Sequence, residues 1–271
     1  MAAKFLYMDE HYADPNTYRL SKGSLRRAAT TLTGVTVPMN IHRDFRQRYY
    51  RCVAEALHHP KNIVQDLANI HASNLLPGTD DSTKFTFLEK IVSMVLEFGF
   101  QIYRVGYYET EEMIRILGGR KGIIGLCFFG ILSCLKDELE VNELWPVMET
   151  DKSEFQDRSF AGFIQILDYH TTLFGINNMS INNNNLGDLH YCTKRSIYGA
   201  VTDCISYLLD AQSLQSSGQP LSPFKERLAA IANELSPSII FNEIIEMKFE
   251  KPPTDYIGQG PIRYALPLTP V

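Results

Sequence analysis

The chain has 271 residues, a formal net charge of −5, 45% hydrophobic residues and 21% charged residues. This composition is ordinary for a globular protein, and a chain of this length buries enough surface to fold without disulfides or metals. The balance of 26 basic against 31 acidic residues argues against a protein that coats nucleic acid with its whole surface.

Cellular location is indicated by the cysteines and by the longest apolar run. The five cysteines include no CxxC pair, which is typical of reduced thiols in a cytosolic or nuclear protein. The first residues lack the apolar region of a signal peptide. The longest apolar run, residues 123–135, is shorter than the roughly 20 residues of a membrane helix. We therefore expect an intracellular protein without a transmembrane segment, in which this run forms a buried central helix.

Helical patterns dominate the amino-terminal half. A short helix is predicted over residues 24–32, ended by the proline at position 38. Residues 42–58 carry apolar side chains at helical spacing, and Pro60 fits the first turn of a helix over 60–74. The loop at 77–81 is a candidate subdomain boundary.

Further helices are predicted after this loop. The first covers residues 82–103, with Asp81 or Ser82 as its cap. The acidic run 109–112 opens the next helix, where the helix dipole favours negative charge. An apolar helix over 122–135 and a helix over about 153–173 follow.

An asparagine-rich segment, residues 176–187, is interpreted as a linker between a helical domain at 1–175 and a smaller one at 188–271. The second domain is predicted to hold a helix from Asp188 to about Ala211. Two more helices are expected to begin at Ser222 and Ser236, each followed by proline. The proline-rich tail from Lys251 is expected to be extended. Because no strand alternation is long enough to build a sheet, the predicted fold class is all-α.

Catalytic motifs are lacking. The segment 118–122 resembles a phosphate-binding loop only in composition, since it follows a helix and lacks the GK[ST] ending. No Ser/His/Asp or Cys/His arrangement has local support, and the seven histidines are scattered. The sequence therefore favours a non-enzymatic protein without a cofactor or metal.

Charge is unevenly distributed along the chain. Residues 19–61 carry nine basic and two acidic residues, whereas residues 137–157 carry eight acidic residues and one lysine. A basic patch of this strength can attract anionic lipid, RNA phosphates or an acidic patch on another copy of the protein; two merely solvated faces are the alternative. The candidate basic patch consists of Arg26, Arg27, Arg43, Arg46, Arg48 and Arg51. The candidate acidic contacts to a neighbouring protomer are Asp137, Glu138, Glu140 and Glu143.

Two groups of short motifs occur in order along the chain. An LSKG run at 20–23, a segment with threonine, valine and proline at 31–38 and an arginine-rich helix at 43–57 form the first. The second is IYRVG at 102–106, followed by Thr110 and Glu111. This succession resembles the helical matrix protein of influenza-like viruses (orthomyxoviruses), in a divergent branch such as the thogotoviruses. The chain departs from that family in its acidic charge and in lacking the CxxC…HxxH pattern.

The resemblance implies a viral structural protein that self-assembles, lines the inner face of an anionic membrane in the virion and bridges it to ribonucleoprotein. An RNA-binding nucleocapsid protein is the first alternative, because Tyr49 and Tyr50 on the basic helix are suited to stacking on bases. An intracellular adaptor that docks a partner through its proline-rich tail is the second.

Overall fold

A six-stranded mixed β-sheet forms the centre of the chain in the computed structural model, which describes residues 2–19, 26–57, 70, 75–117, 119–149, 185–187, 189–192 and 196–246. In chain order, the strands are β1 (Ala2–Arg19), β2 (Arg26–Pro38), β3 (Gln101–Tyr108), β4 (Asn142–Glu149), β5 (His190–Cys192) and β6 (Ile239–Ile245). Their order across the sheet is β5-β4-β1-β2-β3-β6.

Seven α-helices accompany the sheet within the described residues. They are α1 (His42–Ala56), α2 (Asp81–Glu97), α3 (Glu111–Ile116), α4 (Arg120–Cys134), α5 (Lys136–Val141), α6 (Ile197–Ser216) and α7 (Pro223–Glu234). Short 3₁₀ turns at Met39–Ile41 and Ser236–Ser238 lead from β2 into α1 and from α7 into β6. In this described part, none of the helices combines the length and the apolar character needed to cross a bilayer.

The predicted all-α fold class is wrong, because the chain forms this mixed sheet. Helices cover both faces of the sheet, and strands covered on both faces lose the apolar–polar alternation that marks a half-exposed strand. In β1, the partly buried aromatic residues Phe5 and Tyr7 alternate with buried Leu6 and Met8. The start of this strand therefore shows no polar face to a pattern search.

The helix predicted over residues 24–32 is also wrong, since most of this segment belongs to β2. The strand contains Thr30, Thr31 and Thr33, all fully buried, followed by the valines at 35 and 37. Such β-branched side chains favour the extended backbone and pack well on a pleated surface.

The helix predicted over residues 82–103 is confirmed only in its first part. Asp80 caps α2 by accepting a hydrogen bond from the backbone N–H of Thr83, one residue earlier than predicted. The helix ends at Glu97, and Gly99 follows with a φ of +66°, a left-handed conformation that glycine adopts without strain. The chain then enters β3 at Gln101.

Three other helix predictions are confirmed. Helix α1 buries Phe45, Tyr49 and Val53 on one stripe. Helix α4 is the apolar helix predicted to be buried, although its exposed side includes Ser133. Helix α7 begins with Pro223, and its first turn is capped by the side chain of Ser222.

Two helix predictions in the carboxyl-terminal part are corrected by the structure. In place of one helix from Asp188, the chain forms β5 and then α6, which the side chain of Ser196 caps. The prolyl segment at 236–237 begins only a 3₁₀ turn before β6. Strands from both sides of the asparagine-rich segment pair in the one sheet. The predicted helices at 60–74 (apart from Ile70) and 153–173, most of 176–187 and the tail from Lys251 lie outside the described residues.

Two apolar cores lie on opposite faces of the sheet. Helices α1, α2, α6 and α7 form one core with Val35 and Ile102. Helix α4 forms the other with Leu6, Leu32 and Val105. We refer to these surfaces below as the α6 face and the α4 face.

Close packing between α4 and the sheet gives a first prediction. A Cβ added at Gly130 would lie 2.9 Å from Cγ1 of Val105 in β3. Gly130→Ala should therefore overpack this contact and lower the free energy of unfolding by about 1–3 kcal/mol, measured by urea denaturation. Ser133→Ala, on the exposed side of the same helix, is the matched control and should change it by less than about 0.5 kcal/mol. Equal stability of Gly130→Ala and the wild type would contradict the packing.

Candidate functional site

Strand β1 has an antiparallel neighbour on one side and a parallel neighbour on the other. From β1 the chain continues into the antiparallel neighbour β2 on one side, whereas β4 pairs in parallel with β1 and then with β5 on the other side. We refer to the region beyond the end of the β1–β4 pairing, on the α6 face, as the crevice. The described β1–β4 register ends at Met8 and Met148, so Asp9 and Glu149 are the next residues of the two strands.

Three side chains of β1 point to the α6 face at this level. The ring of Tyr7 stacks on Tyr198 of α6, with their centroids 4.9 Å apart, and Nε2 of His11 lies 2.8 Å from Oδ2 of Asp210. Alternation along the strand places Asp9 between Tyr7 and His11 on the same face. Beneath the middle of α6, β1 therefore offers a carboxylate and an imidazole side by side.

The carboxylate of Asp210 is held from below by Arg104 of β3. Arg104 is fully buried and forms an ion pair with Asp210, whose side chain is 11% exposed. The same guanidinium donates to the hydroxyl of Ser213 at 2.7 Å and reaches the carbonyl of Leu209 and the side chain of Asn242. A buried guanidinium needs such partners, because an unpaired charge is costly in the protein interior.

His11 is the solvent-facing member of this chain of contacts. Its side chain is 41% exposed, while its Nε2 lies within ion-pair distance of the anchored carboxylate. Arg104, Asp210 and His11 thus form one chain of charged contacts that runs from the buried strand β3 to solvent.

Other polar side chains occupy the same side of α6. Asp203 lies two turns before Asp210 and is half-buried. Burial raises the pKa of Tyr207, and the charge of Asp210 raises it further. Burial, with a contribution from Cys192, raises the pKa of Tyr7 to about 12. Both phenols are therefore neutral near pH 7, and carboxylates and the histidine dominate the charge of this crevice.

The described side chains do not form a metal site by themselves. Across the ranges that the structure describes, no group of three or more His, Cys, Asp or Glu side chains could hold a metal ion. Any cation in this crevice would need ligands from the substrate or from water as well.

The structure separates the predicted basic patch into two parts. Arg43, Arg46, Arg48 and Arg51 all lie on α1 and are exposed. Arg26 and Arg27 lie at the beginning of β2, eleven or more positions before its last residue, Pro38. At about 3.3 Å per residue, this separates them from the start of α1 by roughly 36 Å. Only the α1 arginines form one surface.

The predicted acidic contacts lie on α5 and at the start of β4. Asp137, Glu140 and Glu143 are exposed, whereas Glu138 forms an ion pair with Lys4 at 2.7 Å. Burial alone would raise the pKa of Glu138, but its hydrogen bonds with Lys4, Asn142 and Gln101 outweigh this effect and lower the pKa. Glu138 thus contributes to the packing of β1 against α5.

Sequence reasoning missed the residues of the crevice. Asp9, Glu10 and His11 follow an apolar segment, and recognising that segment as part of a strand would have marked them as polar residues within it. Arg104 and Asp210 give no local signal, because their relation is created by the packing of α6 on the sheet. Comparison with family models, with curated proteins and with solved structures finds no match to this chain.

The Arg104–Asp210 pair gives a second prediction. Arg104→Met should lower the free energy of unfolding by about 3–5 kcal/mol, because it leaves a largely buried carboxylate without its main partner. The measurement is urea denaturation. Arg227→Met, which removes an exposed ion pair with Glu89, is the control and should cost no more than about 1 kcal/mol. Similar losses in the two variants would refute a special role for Arg104.

Acid sensitivity at the base of α1 gives a third prediction. Burial, and to a lesser extent the charge of Arg46, lowers the pKa of His42 below its usual 6.5. The unfolded chain then binds a proton more readily than the folded chain, so stability is present above about pH 6.5 and falls as the pH drops below it. His42→Gln should flatten this dependence in denaturation curves between neutral and mildly acidic pH, whereas the exposed His190→Gln should not. A wild type equally stable across this window would contradict the prediction.

Proposed function

We propose that the protein is a hydrolase of phosphodiesters, with its active site in the crevice between β1, β4 and α6. The observation that carries this proposal is the partly exposed imidazole of His11, whose Nε2 lies 2.8 Å from a carboxylate that a buried arginine anchors. His11 lies three residues beyond Met8, the last residue of β1 in the described register with β4.

The reaction step requires water as the nucleophile. His11 takes a proton from the water through the ring nitrogen that does not face Asp210, and the water oxygen forms a bond to phosphorus. The ester P–O bond breaks, and the leaving oxygen departs with its electron pair and takes a proton from solvent. The imidazolium then returns its proton to solvent, and Asp210 stabilises the charged ring during the step.

A divalent cation such as Mg²⁺ is part of this proposal. A phosphodiester is anionic, and a divalent cation beside it would compensate its charge during the reaction. Mg²⁺ prefers oxygen ligands and is commonly bound by one or two carboxylates together with substrate phosphates and water. Because the crevice has few protein ligands, it is better suited to a cation that also binds substrate and water than to a metal enclosed by protein ligands alone.

Hydrolysis assays give the fourth prediction. The full chain should cleave bis(4-nitrophenyl) phosphate or fluorescent oligonucleotides with Mg²⁺ or Mn²⁺ and lose this activity in EDTA. His11→Gln should lower the rate about 10²–10⁴-fold, as expected for loss of a general base.

His190→Gln is the matched control for this experiment, because His190 is an exposed histidine on the neighbouring strand β5. It should retain the wild-type rate, and circular dichroism should show that all variants are folded. No hydrolysis by the wild type with either metal, or equal rates for His11→Gln and the wild type, would overturn the proposed function.

The matrix-type function stays a prediction. The resembling family is helical, whereas this chain contains a mixed sheet, so the hydrolase proposal does not rest on that resemblance. The exposed arginines of α1 favour adsorption to an anionic surface, which keeps membrane lining as a second candidate function. Pelleting with phosphatidylserine liposomes, and ordered arrays on their surface, would be its direct test.

A further inference from the structure

The outer face of α1 carries a set of basic and polar side chains at helical spacing. Arg43, Arg46 and Arg51 are exposed there, with the exposed Gln47 and the half-buried Tyr50 between them. The opposite stripe of this helix is buried in the core of the α6 face. The core therefore determines which arginines face solvent, and we call this surface the α1 arginine face.

Most of this positive charge has no counter-ion in the described part of the chain. Arg48, at the border of the face, forms an ion pair with Glu97 and lies over the ring of Phe98 at 5.7 Å. Arg43, Arg46 and Arg51 make no ion pair with any residue that the structure describes. Three guanidinium groups without an ion-pair partner among the described residues make this surface suited to bind an anion, and the exposed Asp44 of the same helix offsets part of their charge.

The arginine face borders the proposed active site. Arg46 is close enough to Tyr198 to lower its pKa, although burial outweighs this effect and raises that pKa overall. Tyr198 in turn stacks on Tyr7, two residues before Asp9. Phe45 of α1 also stacks on Tyr198, with their ring centroids 5.3 Å apart. The start of α1 therefore lies beside the Tyr7 end of the crevice.

The dimensions of the face suit a polymer of phosphates. Arg43 and Arg51 are eight residues apart, which corresponds to about 12 Å along a helix axis. One strand of duplex DNA presents a phosphate about every 3.4 Å of its axis, so this distance spans three to four phosphates. The half-buried ring of Tyr50 adds an aromatic surface of the kind that stacks on unpaired bases.

A lipid surface fits this face less well than nucleic acid does. A helix that lies in a membrane interface places a broad apolar face among the acyl chains. In α1, the apolar stripe of Phe45, Tyr49 and Val53 is already buried inside the protein. Only the charged side remains for an external partner.

We propose that the α1 arginine face binds the phosphate backbone of a nucleic acid and delivers it to the crevice. This inference rests on the proposed function and names nucleic acid as the substrate class of the hydrolytic site. The backbone would lie along α1, with a scissile phosphate held next to Asp9 and His11.

The test measures binding separately from cleavage. Fluorescence anisotropy with labelled single-stranded DNA, duplex DNA and RNA is recorded in EDTA over a series of salt concentrations, for the full chain and for Arg43→Gln/Arg46→Gln/Arg51→Gln. The triple variant should bind about tenfold or more weakly at low salt. Its slope of log affinity against log salt should fall by about two to three, because each lost phosphate contact removes about 0.7 to 0.9.

Arg48→Gln is the matched control, since it removes an arginine of the same helix that is already paired with Glu97. Its affinity for nucleic acid should stay within about twofold of the wild-type affinity, because removing a charge that is already neutralised has a small effect. Absence of wild-type binding at low salt, an unchanged triple variant, or an equal loss in Arg48→Gln would overturn the proposal. Loss of phosphatidylserine-liposome pelleting with intact nucleic-acid binding would replace it with a membrane surface.

The two proposals fail in different ways. Binding that depends on the arginine face in a protein without hydrolytic activity would overturn the hydrolase and leave a binding surface for nucleic acid. Hydrolysis of bis(4-nitrophenyl) phosphate without nucleic-acid binding would overturn the substrate assignment alone.

Discussion

The burial of one guanidinium group constrains how α6 sits on the sheet. Arg104 belongs to an interior strand and has no exposure to solvent, so its charge must be neutralised within the protein. Its main partners, Asp210, Ser213 and the carbonyl of Leu209, all come from α6. A rotation or shift of α6 would break several of these contacts together, which stabilises one placement of the helix.

This constraint extends across the sheet as a row of polar residues. Asn242, Arg104, Thr33 and Asp9 occupy paired positions on the neighbouring strands β6, β3, β2 and β1. From α6, Ser206 accepts a hydrogen bond from Thr33, and Asp210 reaches both Arg104 and His11. The α4 face lacks such a row among its described core residues and is packed by apolar side chains. The α6 face therefore combines a polar layer with the open side of the crevice, where His11 meets solvent.

Helices α1, α2, α4 and α7 were largely predictable, because helical periodicity and caps are encoded within about a dozen residues. The cap of α7 at Ser222 and the buried stripe of α1 followed from such local patterns. The strands were missed for a physical reason: β1 begins with apolar residues on both sides, and β2 carries buried threonines that resemble a loop or helix end. The candidate site was missed with them, because His11 contacts Asp210 only when its segment forms a strand that packs against α6.

By itself, the sequence determined most of the described helices, their caps and the outward position of the α1 arginines, because a helix places residues on faces by local spacing alone. The tertiary structure alone decided the strand order, the division of the basic residues between α1 and the start of β2, and the meeting of His11, Arg104 and Asp210. These depend on pairing between segments far apart in the chain. Buried Arg104 requires a charged partner, and this requirement favours the packing that brings Asp210 to it. Because the two residues are far apart in the chain, no local spacing in the sequence indicates their contact.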